Sequence, residues 1–184
     1  MIPGPMEMIR NAVISICLIV VFGASGKAFA DDACVDFKWD VTQERGLFSG
    51  TATPLSAGAD SKSAPVMQLN HLYALKLMPQ DQVTFAATPG KKTPSAGSNA
   101  GVFTFRLPAS GSYRVAIDMP FWIDVVSNGA LVAAKDFQGQ HGCSAPHKIV
   151  EFDLVGTRPF FLQLSNAAAS SVRLTLTATP PRKL

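Results

Sequence analysis

Apolar and polar residues alternate one for one along the second half of this 184-residue chain. In "GVFTFRLP", Phe103, Phe105 and Leu107 alternate with Thr104 and Arg106. In "SYRVAIDMP", Tyr113, Val115, Ile117 and Met119 alternate with Arg114, Ala116 and Asp118. "FWIDVV" sets Phe121, Ile123 and Val125 against Trp122, Asp124 and Val126. Farther on, "KIVEFDL" places Val150, Phe152 and Leu154 on one face, "PFFLQLS" places Phe160, Leu162 and Leu164, and "SVRLTLTAT" places Val172, Leu174 and Leu176. A period of two is the signature of half-buried strands. Between them, "ASG" and "SNG" supply turns, and Asn-Gly accepts positive φ cheaply.

The first half carries a weaker signal. Val35, Phe37 and Trp39 alternate with polar neighbours and predict a strand, and "TQERGLF" adds a short turn. Residues 51–65, small and proline-bearing, read as an exposed loop. Strands are expected within Leu69–Leu77 and in "DQVTFAATP", where Val83 and Phe85 share a face. About eight short strands with regular turns, and no long helical period, predict an all-β fold: an antiparallel β-sandwich or jelly roll. One face of each strand should fill the space between the sheets, and the Arg/Thr/Asp face should meet water.

The first thirty residues read differently. Arg10 precedes the apolar run Ala12 to Ala24, and "SGKAFA" ends in Ala28-Phe29-Ala30, which is the layout of a signal peptide. The run is shorter than the roughly 20 residues that a membrane span needs. Translation is expected to start at Met1 or Met8, and cleavage after Ala30 makes residues 31–184 a single domain, with 100–177 its best-defined part. The expected location is the periplasm or beyond. Cys17 leaves with the leader, so Cys34 and Cys143 remain and are expected to form one disulfide in an oxidising compartment. Fourteen Lys and Arg stand against twelve Asp and Glu after cleavage, a net +2 with the basic residues scattered. Nucleic-acid binding calls for clustered positive charge, so that class of partner is excluded.

The stretch "GVFTFRLPASGSYRVAI", then "WIDVVSNGALVAA", then "FDLVGTRPFFLQLSNAAASSVRLTLT" resembles the bacterial pre-peptidase C-terminal family of small β-sandwich domains. The resemblance covers residues 100–177 and implies a secreted accessory or binding domain without a catalytic centre. The whole-chain layout is similar to small exported bacterial proteins, some of which carry the name homogentisate 1,2-dioxygenase. It rests on the leader, an early Cys, "WDV..E", "WIDVV.NG" and "C...HK". That name implies a cupin holding non-haem iron by two His and a Glu. Here His147 and Glu151 have the spacing of the cupin first motif, but Ala145 stands where its other histidine belongs. His141 is six residues from His147, about 20 Å along a straight strand.

"GQHGCSAPHK", residues 139–148, concentrates the candidate chemistry. His141, His147 and Glu151 form the donor set of a facial-triad iron site under the oxygenase alternative. Cys143 with His141 would suit zinc or copper, and Cys143 with His147 would suit nucleophilic catalysis. A Cys34–Cys143 bridge removes both options and makes the stretch a stapled loop. Trp122 and Asp124 share a strand face, an arrangement suited to stacking on a sugar ring, or else to a Trp packed under a loop with Asp capping a turn. The sequence therefore favours an exported, non-catalytic binding or accessory protein without a cofactor. Its expected partner is a small molecule, a glycan or an envelope protein. The alternatives are a small iron dioxygenase and a structural envelope component.

Overall fold

The computed structural model describes residues 37–91, 93–140, 142–143 and 145–180. The leader, Cys34 and His141 lie outside the described residues. The chain forms a helix α1 (Thr42–Phe48) and twelve strands among those residues. These are β1 (Thr53–Ser56), β2 (Val66–Met67), β3 (Leu72–Lys76), β4 (Met78–Pro79), β5 (Asn99–Phe105) and β6 (Gly111–Ile117). They continue with β7 (Trp122–Ser127), β8 (Ala130–Val132), β9 (Asp136–Gly139), β10 (Lys148–Leu154), β11 (Phe160–Ala167) and β12 (Ser171–Ala178).

Two sheets pack face to face as an all-β sandwich. The first runs β1-β3-β12-β6-β10-β9, the second β2-β5-β11-β7-β8, with β4 also on β5. The alternation read from the sequence decides which side chains meet between them. Phe103, Phe105, Val115, Ile117, Val125, Phe152, Leu154, Phe160, Leu162, Leu174 and Leu176 are all buried in one core cluster. The Asn-Gly turn between β7 and β8 is the two-residue hairpin that was expected: Asn128 has φ 51° and Gly129 φ 76°.

The short strands outnumber the eight expected because several are edge pieces of two to four residues. The sheets are mixed rather than purely antiparallel, since β1 lies parallel to β3 and β2 parallel to β5. Leaving β1, the chain crosses to the second sheet, where Gly58 bridges Val102 and β2 joins β5, and only then returns to β3. A crossover of that kind brings the next strand back in the same direction. Residues 51–65, read as a loop, therefore hold β1, whose Leu55 packs against the core. Met119, assigned to the inner face, is exposed because β6 ends before it.

Two expected strands are absent. Phe37–Asp40 is not a strand; Phe37 and Trp39 instead pack with Val41, Phe48, Leu72, Ala116 and Ile149 on the outer face of the first sheet. Val83–Phe85 is not a strand either, and lies in an irregular segment after the 3-10 turn Gln80–Gln82. That segment is tied to the outer face of the second sheet by side-chain hydrogen bonds from Gln163 and Asp124. Both sheets are thus covered on the side expected to face water. Arg114, Asp124, Glu151, Gln163, Thr175 and Thr177 are buried there.

Candidate functional site

The polar residues of the first sheet's outer face form a structural network. Arg114 and Glu151 are register partners on β6 and β10. Arg114 Nε donates to Glu151 Oε2 at 3.2 Å, and its Nη1 donates to the Asp40 carbonyl at 2.9 Å and lies 3.6 Å from Glu44 Oε1. The guanidinium sits over the Trp39 ring, 4.8 Å from its centroid. Thr177 Oγ1 donates to Glu44 Oε1 at 2.8 Å, and Lys135 Nζ lies 3.5 Å from Glu151 Oε1. A seven-residue helix has no stability of its own, so these bonds and the buried Phe48 hold α1 on the sheet. Glu151 faces outward from the core, as its register predicts, but it is bound by two cations rather than by solvent.

Beside this network lies a cluster with the outline of a Ser–Lys catalytic pair. Lys135 Nζ donates to Ser112 Oγ at 3.0 Å and to Asp153 Oδ1 at 2.9 Å, while Ser112 Oγ donates to Asp153. Such a pair works only if the lysine can take the serine proton. Here the hydrogen bond to Asp153 raises the Lys135 pKa, and the bonds from Ser112 and Lys135 lower that of Asp153. The amine is held charged and the hydroxyl proton is committed to a carboxylate, so the cluster is an ion pair with a bridging serine.

The 139–148 stretch is a connection between β9 and β10. Gln140 N–H donates to the His147 carbonyl, Cys143 N–H to the Gln140 carbonyl, and His147 N–H to the Ile117 carbonyl. Cys143 is buried. His147 stands at the loop's exit and Glu151 four residues on, about 13 Å along an extended chain. Among the described residues, no group of three or more His, Cys, Asp or Glu lies close enough to hold a metal.

Trp122 and Asp124 do come together. Trp122 Nε1 donates to Asp124 Oδ1 at 2.9 Å, and the Gly90 N–H donates to Asp124 Oδ2 at 3.0 Å. Both carboxylate oxygens are therefore engaged, and Asp124 is 7% exposed. Its role is to fix the indole and the 83–90 segment. Glycine at 90 suits that approach, since a Cβ there would stand a tight 3.0 Å from both Asp124 Oδ1 and Trp122 Nε1.

The indole held in this way is 38% exposed and forms one wall of a cleft of about 160 Å³. Ile123, Ala134, Phe137, Lys148 and Val150 complete it. The cleft exists because the sandwich is unfilled at this edge. Phe137 pairs with Val150 across β9 and β10, yet is 66% exposed. Lys148 begins β10 in phase with Val150, Phe152 and Leu154, so it occupies a position on the core side of the strand. Its Nζ donates to the Phe121 carbonyl at 3.2 Å and lies 5.7 Å from the Trp122 ring centroid. Burial pushes its pKa below the ordinary 10.5, and the charge of Asp124 partly restores it. The sequence reading found Trp122 but missed Phe137 and Lys148. The phase of Lys148 in "KIVEFDL" was the available signal, because a lysine in register with three core residues must open onto something polar.

A roomier hollow of about 470 Å³ lies between Pro79–Asp81, Phe85 and the 94–99 segment. Gln80, one of its polar residues, is spent on the Asn166 N–H and on Ser98. Asp81, Ser95, Ser98 and Asn99 share its lining with Pro79, Phe85 and Pro94. Comparison of the chain with protein-family models and with curated proteins returned no match.

Proposed function

We propose that this is an exported, non-catalytic β-sandwich that binds a small ring-shaped ligand in the Trp122–Phe137–Lys148 cleft. One observation carries the reading: two aromatic rings, which burial would otherwise favour, are left exposed around an apolar cleft with a single amine. Asp124 and Gly90 hold the indole in place before any ligand arrives, which lowers the ordering cost of binding. A domain of the pre-peptidase C-terminal type, acting as an accessory binder in the periplasm or outside the cell, fits this picture.

Export after Ala30 and a Cys34–Cys143 bridge belong to the same proposal. Supporting the bridge, Cys143 is 2% exposed, the burial expected of a bonded cysteine rather than of a reactive thiol. It would tie the segment before Phe37 to the β9–β10 loop.

The test is a thermal-shift and fluorescence titration of the mature protein with single-ring sugars and aromatic compounds, comparing wild type with Trp122→Ala. Binding that the substitution weakens tenfold or more supports the reading. Binding that is unaffected, or catalytic turnover dependent on co-purified iron, overturns it.

A further inference from the structure

We infer that the ligand of this cleft is a single six-membered ring bearing a carboxylate, with the carboxylate on Lys148 Nζ and the ring between Trp122 and Phe137. The inference rests on the cleft being the binding site, and goes beyond it to the ligand's charge. Lys148 is, among the described residues, the one charged residue lining the cleft. Among the described residues, no carboxylate lies within ion-pair distance of its amine; the five ion pairs involve other cations. Asp124, whose charge reaches Lys148, has both oxygens engaged by Trp122 and Gly90.

An ammonium group carries three donors, and one is used on the Phe121 carbonyl. The others meet an apolar, half-enclosed space, where a charge is costly until it is paired. A ligand carboxylate supplies that pair and accepts both remaining hydrogen bonds. Size fixes the rest: a cavity of about 150 Å³ accommodates benzene, so a cleft of about 160 Å³ takes one ring. The same chemistry is offered by a free aromatic acid and by a uronic acid at the end of a glycan.

The experiment uses the mature, oxidised protein in a buffer free of carboxylates, with saturation-transfer NMR and calorimetry as readouts. The probes are benzoate against benzamide, and methyl glucuronoside against methyl glucoside. At least one acid should bind tenfold or more tightly than its neutral partner, and which acid does so identifies the source. Lys148→Met should remove that preference, bringing the acid's affinity down to that of its neutral partner. Lys148→Arg should keep part of it. In the wild type, the acid's affinity should hold at neutral pH and fall as pH rises through the free-protein pKa of Lys148, because only the ammonium form pairs with the carboxylate. Neutral rings binding as tightly as acids would overturn this inference and leave the cleft as a binding site. Absence of binding by all four probes would overturn it together with the reading it rests on.

Discussion

Replacing Arg114 by methionine tests whether the covered face of the first sheet is held by charge. The side chain is 6% exposed and sits between two carboxylates, Glu151 at 3.2 Å and Glu44 at 3.6 Å. At an effective dielectric constant near 20, a pair at that distance attracts by about 5 kcal/mol. Most of this is offset in the native protein by the cost of removing the charges from water. The substitution deletes the attraction and leaves the cost. Lys135 still reaches Glu151, but Glu44, fully buried, keeps only the Thr177 hydroxyl. Removing one partner of a buried pair typically costs 3–5 kcal/mol, so a loss of about 4 kcal/mol is expected. Methionine keeps an unbranched apolar side chain in the space, while the guanidinium contact with the Trp39 ring is lost along with the ion pairs. Equilibrium urea unfolding followed by circular dichroism measures the change. Adding Glu44→Gln and Glu151→Gln to Arg114→Met should recover a substantial part of the loss, since the uncompensated charges are then gone. A single-variant loss under about 1 kcal/mol, or no recovery in the triple variant, would refute the reasoning.

Four other outcomes follow from particular positions. Gly129→Ala places a Cβ at φ 76° in the β7–β8 turn and should cost about 1 kcal/mol in the same assay. Lys148→Met should raise the thermal midpoint at neutral pH, because burial lowers the folded pKa from 10.5 and so disfavours the charged form; the gain should be full below that lowered pKa and vanish above 10.5. Exported protein should have the intact mass of a chain beginning at Asp31, two units below the dithiol, and Cys143→Ala should cost about 4–5 kcal/mol if the bridge closes a loop of about 110 residues.

The strand alternation from Phe103 onward was legible because a period of two is local: most core residues from Phe103 to Leu176 are identified by their neighbours, with Ala167 unread and Met119 read inward although it is exposed. What covers the outer faces was not. The buried state of Arg114, Glu151 and Thr177 depends on α1 and on Trp39, more than sixty residues away in sequence. Alternation marks those residues as polar and says nothing of a helix lying over them. The Phe37–Trp39 and Val83–Phe85 alternations were misleading for a related reason. Phe37 and Trp39 present apolar side chains to a finished sheet from outside, and the chain after Phe85 is held on the other sheet through Gln163 and Asp124, so neither segment joins an edge. The Trp122–Asp124 pair was visible as two residues on one face. Its meaning changed once Gly90, thirty-four positions away, was found on the second carboxylate oxygen.

The most direct measurement of the binding claim is the indole N–H spectrum of the ¹⁵N-labelled mature protein during titration with the ring probes. The chain has two tryptophans, Trp39 and Trp122. Trp39 is packed over Arg114 on the first sheet, whereas Trp122 lines the cleft with its N–H on Asp124. Ligand should move the Trp122 indole signal and the backbone signals of Phe137 and Lys148, and leave Trp39 in place. A saturating ligand that leaves Trp122 unmoved, or that shifts Cys143 and His147 instead, would contradict it.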